Sequence, residues 1–350
     1  MKKLFLMFVV AGLTLTAAAQ KTEKQVATLQ HGNQTTVFYG IDAFVSAYNA
    51  AADTLDVITL SGGEFNVPIQ ISKSVAIYGA GCENDTITGT QRTEFNNILS
   101  SVSANGVHIE GVYVSEIYIY GIDEKPIHNL SIVKCKVNVI SFATDCYDCV
   151  IRQSIIMQRL QRTQDSFYNR TKYAHNLLIS NCYIYDTADE ITWGNYALDF
   201  SNTSIILIDH CIIKSKIQDV YNNALFRYTN NIIYLSSLPT SADCSNNIFI
   251  IGGDSSVEAD EEGNWYHMNG QDVWADENEN GIYAENKTFD LKNTTRYIGN
   301  DFTQIGLHGG VYAWNKTPVI PRITECTIDT ENVNSGTLKV SIKAEAQTKE

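Results

Sequence analysis

Two short stretches of the chain repeat one pattern of apolar and polar positions. NLLISNCYIYDT spans residues 176–187 and SIILIDHCIIKS spans residues 204–215, and each has a cysteine, Cys182 or Cys211, in the same slot. Apolar residues stand five and three places before that cysteine and two places after it. Because side chains alternate between the faces of a strand, each stretch predicts two short strands with inward apolar residues and a polar corner between them.

The same frame fits seven places along the chain. With the cysteine slot as position zero, the centres are Val112, Cys135, Ser154, Cys182, Cys211, Asn231 and Asn247. Position −5 carries Val107, Leu130, Cys149, Leu177, Ile206, Phe226 and Ala242. Position −3 carries Ile109, Ile132, Ile151, Ile179, Ile208, Tyr228 and Cys244. Position +2 carries Val114, Val137, Ile156, Ile184, Ile213, Ile233 and Phe249. All 21 flanking positions are hydrophobic, against 44% of the chain, so the repeat is a property of the sequence.

A single unit of this size cannot bury its apolar face alone, so consecutive units must stack. The steps between centres are 23, 19, 28, 29, 20 and 16 residues. Strand-rich units of variable length favour an all-β parallel β-helix over leucine-rich repeats, which need a fixed period. The column at position zero then lies inside a bend. Cys135, Cys149, Cys182, Cys211 and Cys244 all stand in inward columns, so we expect small buried side chains there, with disulfides or metal binding as the alternative. Cys146, in a CxxC spacing with Cys149, is expected outside the stack.

Both ends of such a stack need a cover, because they expose strand edges. Residues 41–51 place Phe44, Tyr48 and Ala51 on one face and predict a short capping helix. DVITLSGGEF (56–65) and ISKSVAIYGAG (71–81) predict the first strands. At the other end, residues 323–328 and 337–344 alternate in strand fashion around NSG, which predicts an antiparallel hairpin or a small appendage.

The order of the capping helix, DVITLSGGEF and ISKSVAIYGAG resembles the entry of right-handed parallel β-helix proteins of the pectate-lyase-like superfamily. The segment from DVWADENENGIYAENKTFDLK to DFTQIGLHGG (272–310) is similar to the closing segment of exported bacterial members. The resemblance covers roughly residues 35–310. It implies a right-handed, single-stranded parallel β-helix. The superfamily includes lyases, glycoside hydrolases, epimerases and adhesins, so the resemblance does not imply one activity.

These elements predict five parts. They are a signal peptide (1–19), an N-terminal segment with the capping helix (20–56), the β-helix (57–253), its closing coils (254–317) and a C-terminal β-hairpin or tail (318–350). The first part has Lys2 and Lys3, an apolar core from Leu4 to Thr16 and Ala17-Ala18-Ala19 before the expected cleavage. We therefore expect export to the bacterial periplasm or beyond, without membrane insertion.

The net charge of the chain limits the classes of partner that it can bind. The chain has 25 basic and 39 acidic residues, a net charge of −14, and loss of two lysines with the signal makes it −16. Nucleic acid is excluded as a partner, because its binding depends on neutralising phosphates. Polyanionic sugars are disfavoured unless a basic groove or Ca²⁺ reverses the local sign. The expected partner is a polysaccharide or oligosaccharide.

Position +1 should face outward, yet it is largely apolar. Its members are Tyr113, Lys136, Ile155, Tyr183, Ile212, Ile232 and Ile248. A large exposed apolar surface usually has a cover or a partner. We expect the C-terminal tail (318–350) or a second subunit to pack along this column, which makes self-association one of the predictions.

Catalytic candidates lie twelve places before position zero. That column holds Asp123, Phe142, Arg170, Asp199 and Asp219. Asp199 and Asp219 would stand on neighbouring strands, about 5 Å apart, as the acid and nucleophile of a retaining glycosidase do. Arg170 would lie one strand earlier, with Lys172 nearby. The loop at residues 185–195 would add Asp189 and Glu190, and Trp193 and Tyr196 would stack on a sugar ring.

Two other interpretations compete with hydrolysis. Outward aspartates on a solvated sheet are ordinary in an acidic protein, so a non-catalytic glycan-binding or surface-interaction protein is the main alternative. A Ca-dependent lyase is less favoured, although Arg170 and Lys172 could supply its base. Residues 208–210 resemble an IDH stretch of pectate lyases, but they occupy the corner slot, which favours turn residues.

No resident cofactor is predicted. Asp276, Asn278 and Asn280 match the first half of a calcium loop, D-x-N-x-N-G, but Lys287 stands where the closing acid belongs. This turn is therefore only a weak calcium candidate.

Overall fold

The structure of the chain is a computed structural model. It describes residues 25–52, 54–86, 89–121, 125–162, 164–165, 170–171, 174–185, 198–199, 204–214, 225–234, 243–251, 255–276, 279–319, 322–329 and 339–345. The two helices in these ranges are α1 (Ala43–Ala50) and α2 (Gly270–Val273).

Strands make up most of the regular structure. In chain order they are β1 Val26–His31, β2 Gln34–Tyr39, β3 Thr54–Leu60, β4 Gly63–Phe65, β5 Ser74–Tyr78, β6 Thr93–Phe95, β7 Leu99–Val102, β8 His108–Glu110, β9 Val112–Ile119, β10 Ile127–His128, β11 Ser131–Val133, β12 Lys136–Phe142, β13 Cys146–Tyr147, β14 Val150–Arg152, β15 Ile155–Arg162, β16 Gln164–Asp165, β17 Arg170–Thr171, β18 Ala174–His175, β19 Leu177–Ser180, β20 Tyr183–Tyr185, β21 Leu198–Asp199, β22 Ile205–Asp209, β23 Ile212–Lys214, β24 Leu225–Thr229, β25 Ile232–Tyr234, β26 Asp243–Ser245, β27 Ile248–Ile250, β28 Arg322–Asp329 and β29 Lys339–Glu345.

Two eleven-stranded sheets run the length of the molecule. The first sheet has the order β2-β1-β3-β5-β8-β11-β14-β19-β22-β24-β26. The second has the order β27-β25-β23-β20-β15-β12-β9-β6-β4, with β21 on β15 and β7 on β9. A short third sheet, β10-β13-β18, lies beside them. From β8 to β27, each sequence unit adds one parallel strand to each large sheet, so the all-β, stacked architecture is compatible with a β-helix-like fold.

The strand register confirms the columns predicted from the sequence. Ile132 pairs with Ile109 and with Ile151, and the series continues through Ile179, Ile208, Tyr228 and Cys244. At position +2 the pairing runs from Val114 to Phe249 in the same way. Both columns lie in one buried apolar core, apart from the partly buried Cys244 packed against it. Units of different length are in register because their extra residues fall between the strands.

The corner between the two sheets depends on the residue at position −1. Lys134, Gln153, Asn181, His210, Asn230 and Asn246 all have φ between 49° and 58° there. Their left-handed backbone turns the chain from the first sheet to the second. At position zero just after the corner, the buried Asn231 and Asn247 each accept a backbone N–H from the preceding unit, at 2.7 and 3.0 Å. This internal amide ladder supplies partners for polar groups that the bend removes from water.

The N-terminal end is closed by a hairpin and a helix. β1 and β2 pair with each other antiparallel, and β1 pairs antiparallel with β3. The sequence did not indicate this hairpin. Helix α1 buries Phe44, Ala47 and Tyr48, and the Phe44 ring stacks on Phe95 with centroids 5.1 Å apart.

The apolar column at position +1 is covered by residues 265–307. Ile155, Tyr183, Ile212, Ile232 and Ile248 are 0–1% exposed and form a second apolar cluster. The cover supplies Trp265, Met268, Val273, Trp274, Phe289, Leu291, Tyr297, Ile305 and Leu307 to that cluster. The expectation that residues 318–350 cover this column is therefore wrong. The column is also not the exposed surface that the self-association prediction requires.

Residues 254–317 do not form closing coils throughout. Only the beginning extends the stack, where Asn264 continues the amide ladder and Trp265 bridges to Ile248. The chain then turns back along the outside, because its aromatic residues have an apolar column to cover.

Residues 299–319, which we call the return strap, run back along the corner. Asn181 Nδ2 donates to the carbonyls of Leu307 and Gly309 at 2.9 and 2.8 Å. Gln153 Nε2 donates to Ala313 O at 2.6 Å, and Lys134 Nζ to Thr317 O at 2.7 Å. The left-handed corner residues thus have a second use, since their side chains hold the returning chain.

A buried ion cluster joins the strap and the cover to the stack. The Glu83 carboxylate accepts hydrogen bonds from Tyr283 Oη at 2.7 Å, from Lys136 Nζ at 3.0 Å and from Lys316 Nζ. Burial favours the protonated acid, but these donors outweigh it and hold the pKa of Glu83 below its ordinary value. One cluster of charged and polar side chains therefore connects four segments that are far apart in sequence.

The cysteines match their predicted role, with one correction. Cys135, Cys149, Cys182 and Cys211 are buried thiols, and Cys244 is partly buried. Cys146, expected outside, is only 1% exposed, because its side chain on β13 belongs to the main apolar core. Cys82 is also a buried thiol, whereas the side chain of Cys326 lies outside the described residues.

Candidate functional site

The second sheet carries a polar face beyond its covered part. Strands β9, β12 and β15 continue for several residues past position +2, and there their outward residues, Val139 excepted, are polar or aromatic. We define the polar face as Glu116, Tyr118, Tyr120, Ser141 and Arg159. The register aligns Glu116 with Val139 and Arg159 in one row, and Tyr118 with Ser141 in the next.

Two contacts order this face. Ser141 Oγ donates to Glu116 Oε1 at 2.8 Å, and Ser141 is fully buried beneath its neighbours. The rings of Tyr118 and Tyr120 lie 6.2 Å apart at 21°, and Tyr120 is 46% exposed. The face therefore combines an oriented carboxylate, an arginine and an exposed aromatic surface, which are groups that bind sugar hydroxyls and sugar rings.

Asp199 belongs to the same face by register. Strand β21 pairs with the end of β15, so Leu198 aligns with the buried Leu160 and Asp199 with Gln161. Gln161 aligns in turn with Ser141. Because adjacent strands lie about 4.8 Å apart, the backbone of Asp199 is about 10 Å from that of Ser141.

A twelve-residue insertion enters the sheet at this point. Strand β20 pairs with the beginning of β15 and β21 pairs with its end, although residues 186–197 separate the two in sequence.

Arg170 does not occupy the place expected for it. It pairs antiparallel with Asp165, in the two-stranded sheet β16–β17, and the strand neighbour of Asp199 is Gln161 instead. The register prediction failed because β15 is eight residues long and is followed by its own small hairpin, so counting back twelve residues crosses a loop.

The other predicted site residues lie outside the part of the chain that the structure describes. They are Asp219, Lys172, Asp189, Glu190, Trp193 and Tyr196. The Asp199–Asp219 pair therefore stays a prediction. Sequence analysis missed Glu116, Tyr118, Tyr120, Ser141 and Arg159. A frame extended to positions +4 to +7 would have shown polar and aromatic residues outside while the inward residues stayed apolar.

At the weak calcium candidate, a lysine side chain contacts the described part of the turn. Lys287 Nζ donates to Glu279 Oε1 at 2.8 Å and to Asn280 Oδ1 at 3.3 Å, so an ammonium group takes the acceptor oxygens of the turn. Asn280 Oδ1 also accepts the N–H of Ile282. Asn278 lies outside the described residues, as does part of the turn after Asp276. Within the described ranges, no group of three His, Cys, Asp or Glu side chains could hold a metal ion.

His210 is a structural corner residue. Its ring is buried, with Nδ1 3.2 Å from Gly306 O and Nε2 3.1 Å from Asp301 Oδ2. The pKa of Asp301 is lowered even though burial opposes this, because Thr303 and His210 donate hydrogen bonds to the carboxylate. Any side chain at Gly309 or Gly310 would meet the imidazole, so the strap packs directly on it. This arrangement supports the interpretation of residues 208–210 as a turn.

Comparisons with known proteins give no family. No protein-family model matches the chain, and neither the curated proteins nor the solved structures contain a match. In the described ranges, no helix is long and apolar enough to cross a membrane.

Proposed function

We propose that the chain is an exported protein that binds polysaccharide on the polar face, built on a right-handed parallel β-helix of the pectate-lyase-like type. The observation that carries the proposal is the change of the second sheet from a covered apolar surface to a face with Glu116, Arg159 and Tyr120, next to the insertion at residues 186–197. The signal-like N-terminus supports export, and the sequence resemblance supports the superfamily.

The catalytic form of the proposal is glycoside hydrolysis. Asp199 and Asp219 would act as the acid and the nucleophile, and residues from the insertion, Trp193 and Tyr196, would hold a sugar ring. Glu116 is not the partner of Asp199 in this mechanism, because the register separates their strands by several strand spacings. The alternative is a glycan-binding or surface-interaction protein without catalysis. A Ca-dependent lyase is less favoured, because the net charge of −14 disfavours binding of a polyanionic uronate sugar.

A glycan array with a reducing-sugar release assay tests the proposal. Tyr120→Ala should weaken glycan retention, whereas Tyr39→Ala, an exposed tyrosine on the N-terminal hairpin, should not. Loss of sugar release in both Asp199→Asn and Asp219→Asn, with binding retained, would support hydrolysis. Binding without release in the unmodified chain would support the non-catalytic alternative, and absence of binding to every glycan would contradict the proposal.

A further inference from the structure

The buried ring of His210 has a hydrogen-bond acceptor at each of its two nitrogens. Nδ1 lies 3.2 Å from Gly306 O, and Nε2 lies 3.1 Å from Asp301 Oδ2. Both oxygens belong to the return strap, and a carbonyl or a carboxylate oxygen can only accept. Gly306 O also accepts the N–H of Gly309 at 3.1 Å. Each contact is therefore a hydrogen bond only if the ring nitrogen carries a hydrogen.

A neutral imidazole can make only one of these two contacts. It has a single N–H, so its other nitrogen would point a lone pair at an oxygen atom. The side chain is 0% exposed, and the separation of 3.2 Å leaves no room for a water molecule between the two atoms. Turning the ring over would place C–H groups at both oxygens. The doubly protonated ring is the form that satisfies both contacts.

Two carboxylates stand next to the ring. In the part of the chain that the structure describes, they are Asp301 of the strap, at 3.1 Å from Nε2, and Asp209 of β22, whose Oδ1 lies 4.0 Å from the same nitrogen. Both favour a positively charged ring, whereas burial opposes it. Burial also opposes ionisation of Asp301, but hydrogen bonds from Thr303 and His210 lower its pKa, so Asp301 remains a carboxylate in mild acid.

We propose that His210 is a pH-sensitive latch for the return strap. The doubly protonated ring binds the strap at Gly306 and at Asp301, and loss of one proton as the pH rises breaks one of these bonds. The effect reaches the strap directly, because Gly309 and Gly310 pack against the imidazole. The strap is therefore held more tightly in mild acid than in base. The latch lies on the corner and does not depend on the proposed glycan binding.

Proton–nitrogen NMR of the histidine rings in the full-length chain tests the protonation. The chain has seven histidines, and the signals of His210 are identified by their absence in His210→Asn. We expect an N–H on both ring nitrogens at about pH 6 and on one of them at about pH 9. This measurement on the unmodified chain does not depend on how well any variant folds.

Hydrogen exchange of the strap amides tests whether the ring proton holds the strap. The N–H groups of Gly306 and Gly309 are hydrogen-bonded to Asn230 O and Gly306 O. After correction for the intrinsic exchange rate, their protection should fall about tenfold between about pH 6 and about pH 9, with the midpoint of the ring titration. In His210→Asn the protection should not follow pH. Asparagine has no ionisable group, and it accepts the left-handed corner, as Asn181 and Asn230 do.

Two further variants identify the groups that set the pH dependence. Asp301→Asn should move the fall in protection to lower pH, because the ring loses a negative neighbour. His308→Asn is the matched control: His308 is a second histidine of the strap, but its Nε2 contacts Thr288 O, so the variant should behave like the unmodified chain. Loss of the pH dependence in His308→Asn would overturn the proposal.

Two other results would also overturn the latch. One is a His210 ring that carries the same number of N–H groups from about pH 5 to about pH 9. The other is a fall in strap protection that is as large in His210→Asn as in the unmodified chain.

Discussion

The two ends of strands β9, β12 and β15 differ in what covers them. Where these strands begin, Tyr113, Lys136 and Ile155 start the outward column, and from Ile155 onward its residues are apolar and lie under residues 265–307. Where they end, Glu116, Tyr118 and Ser141 face outward, and Tyr120 is nearly half exposed. One sheet thus has a closed half that stabilises the molecule and a polar half that includes the exposed Tyr120. The difference teaches that outward apolar residues in such a stack mark a cover, and that a candidate site begins where they stop.

The largest expected loss of stability comes from a substitution in the closed half. Ile212→Asp would bury a charge between the sheet and the cover, so we expect unfolding to become easier by about 4 kcal/mol or more. Tyr118→Asp, on the polar half of the same sheet, should cost less than about 1 kcal/mol. Chemical denaturation measures both. Equal losses for the two variants would remove the distinction between the halves.

Glu83→Gln should have the next largest effect on the free energy of unfolding. It leaves Lys136 and Lys316 without their shared carboxylate, and loss of charged hydrogen bonds of this kind costs about 2 kcal/mol at pH 7. Because the folded pKa of Glu83 is lowered, this contribution is present above the ordinary glutamate pKa and is lost as the pH falls through the folded value. The stability difference between the variant and the unmodified chain should therefore shrink below about pH 4.

Thermal unfolding from pH 7 to pH 3 measures that difference. Glu64→Gln, on the exposed second residue of β4, is the matched control and should follow the unmodified chain at every pH. A constant difference across this range would show that the ion cluster does not hold the cover.

Asn181→Gly should have a moderate effect. Glycine accepts the left-handed backbone at this corner, so the variant removes only the two hydrogen bonds to the strap, and we expect a loss of about 1–2 kcal/mol. Asn176→Gly is the control, since it has the same backbone conformation and an exposed side chain bonded to Asp148. If both variants have the same stability, the corner side chains do not hold the strap.

The smallest effect on stability is expected on the polar half. Tyr120→Ala should change unfolding by less than about 0.5 kcal/mol, because nearly half of the side chain is exposed. Its effect on a bound glycan should be larger, a loss of about fivefold in affinity, since aromatic stacking contributes about 1 kcal/mol. Isothermal titration with a glycan identified on the array measures this. An unchanged affinity would place the binding surface elsewhere.

The stacked core could be predicted from the sequence because its rule is local. Alternation over a few residues specifies which side chains face inward, and Ile132, Ile151 and Ile179 are aligned as that rule requires. The outward column was also recognised, but its cover was assigned to the wrong segment. No local sequence pattern tells which distant residues bury a surface. Trp274 and Phe289 belong to the same apolar cluster as Ile212 only because the chain folds back along the stack.

The candidate site was harder to predict for a related reason. Asp199 pairs with Gln161, and the expected neighbour Arg170 pairs with Asp165 instead, because loop lengths change between units. Glu116 and Tyr118 were overlooked because the frame ended at position +2. The N-terminal hairpin β1–β2 was missed because β2 is almost wholly exposed and has no periodic pattern of burial, and β1 alternates over only four residues.

Zero-length carbodiimide cross-linking followed by mass spectrometry tests the folded-back architecture most directly. Lys136 Nζ lies 3.4 Å from Glu285 Oε1 across 149 residues, and Glu285 is largely exposed to reagent. Lys316 bonds to Glu83 across 233 residues. The account predicts both cross-links within the monomer. Their absence, together with cross-links of Lys316 only to its sequence neighbours, would contradict the return of the chain along the stack.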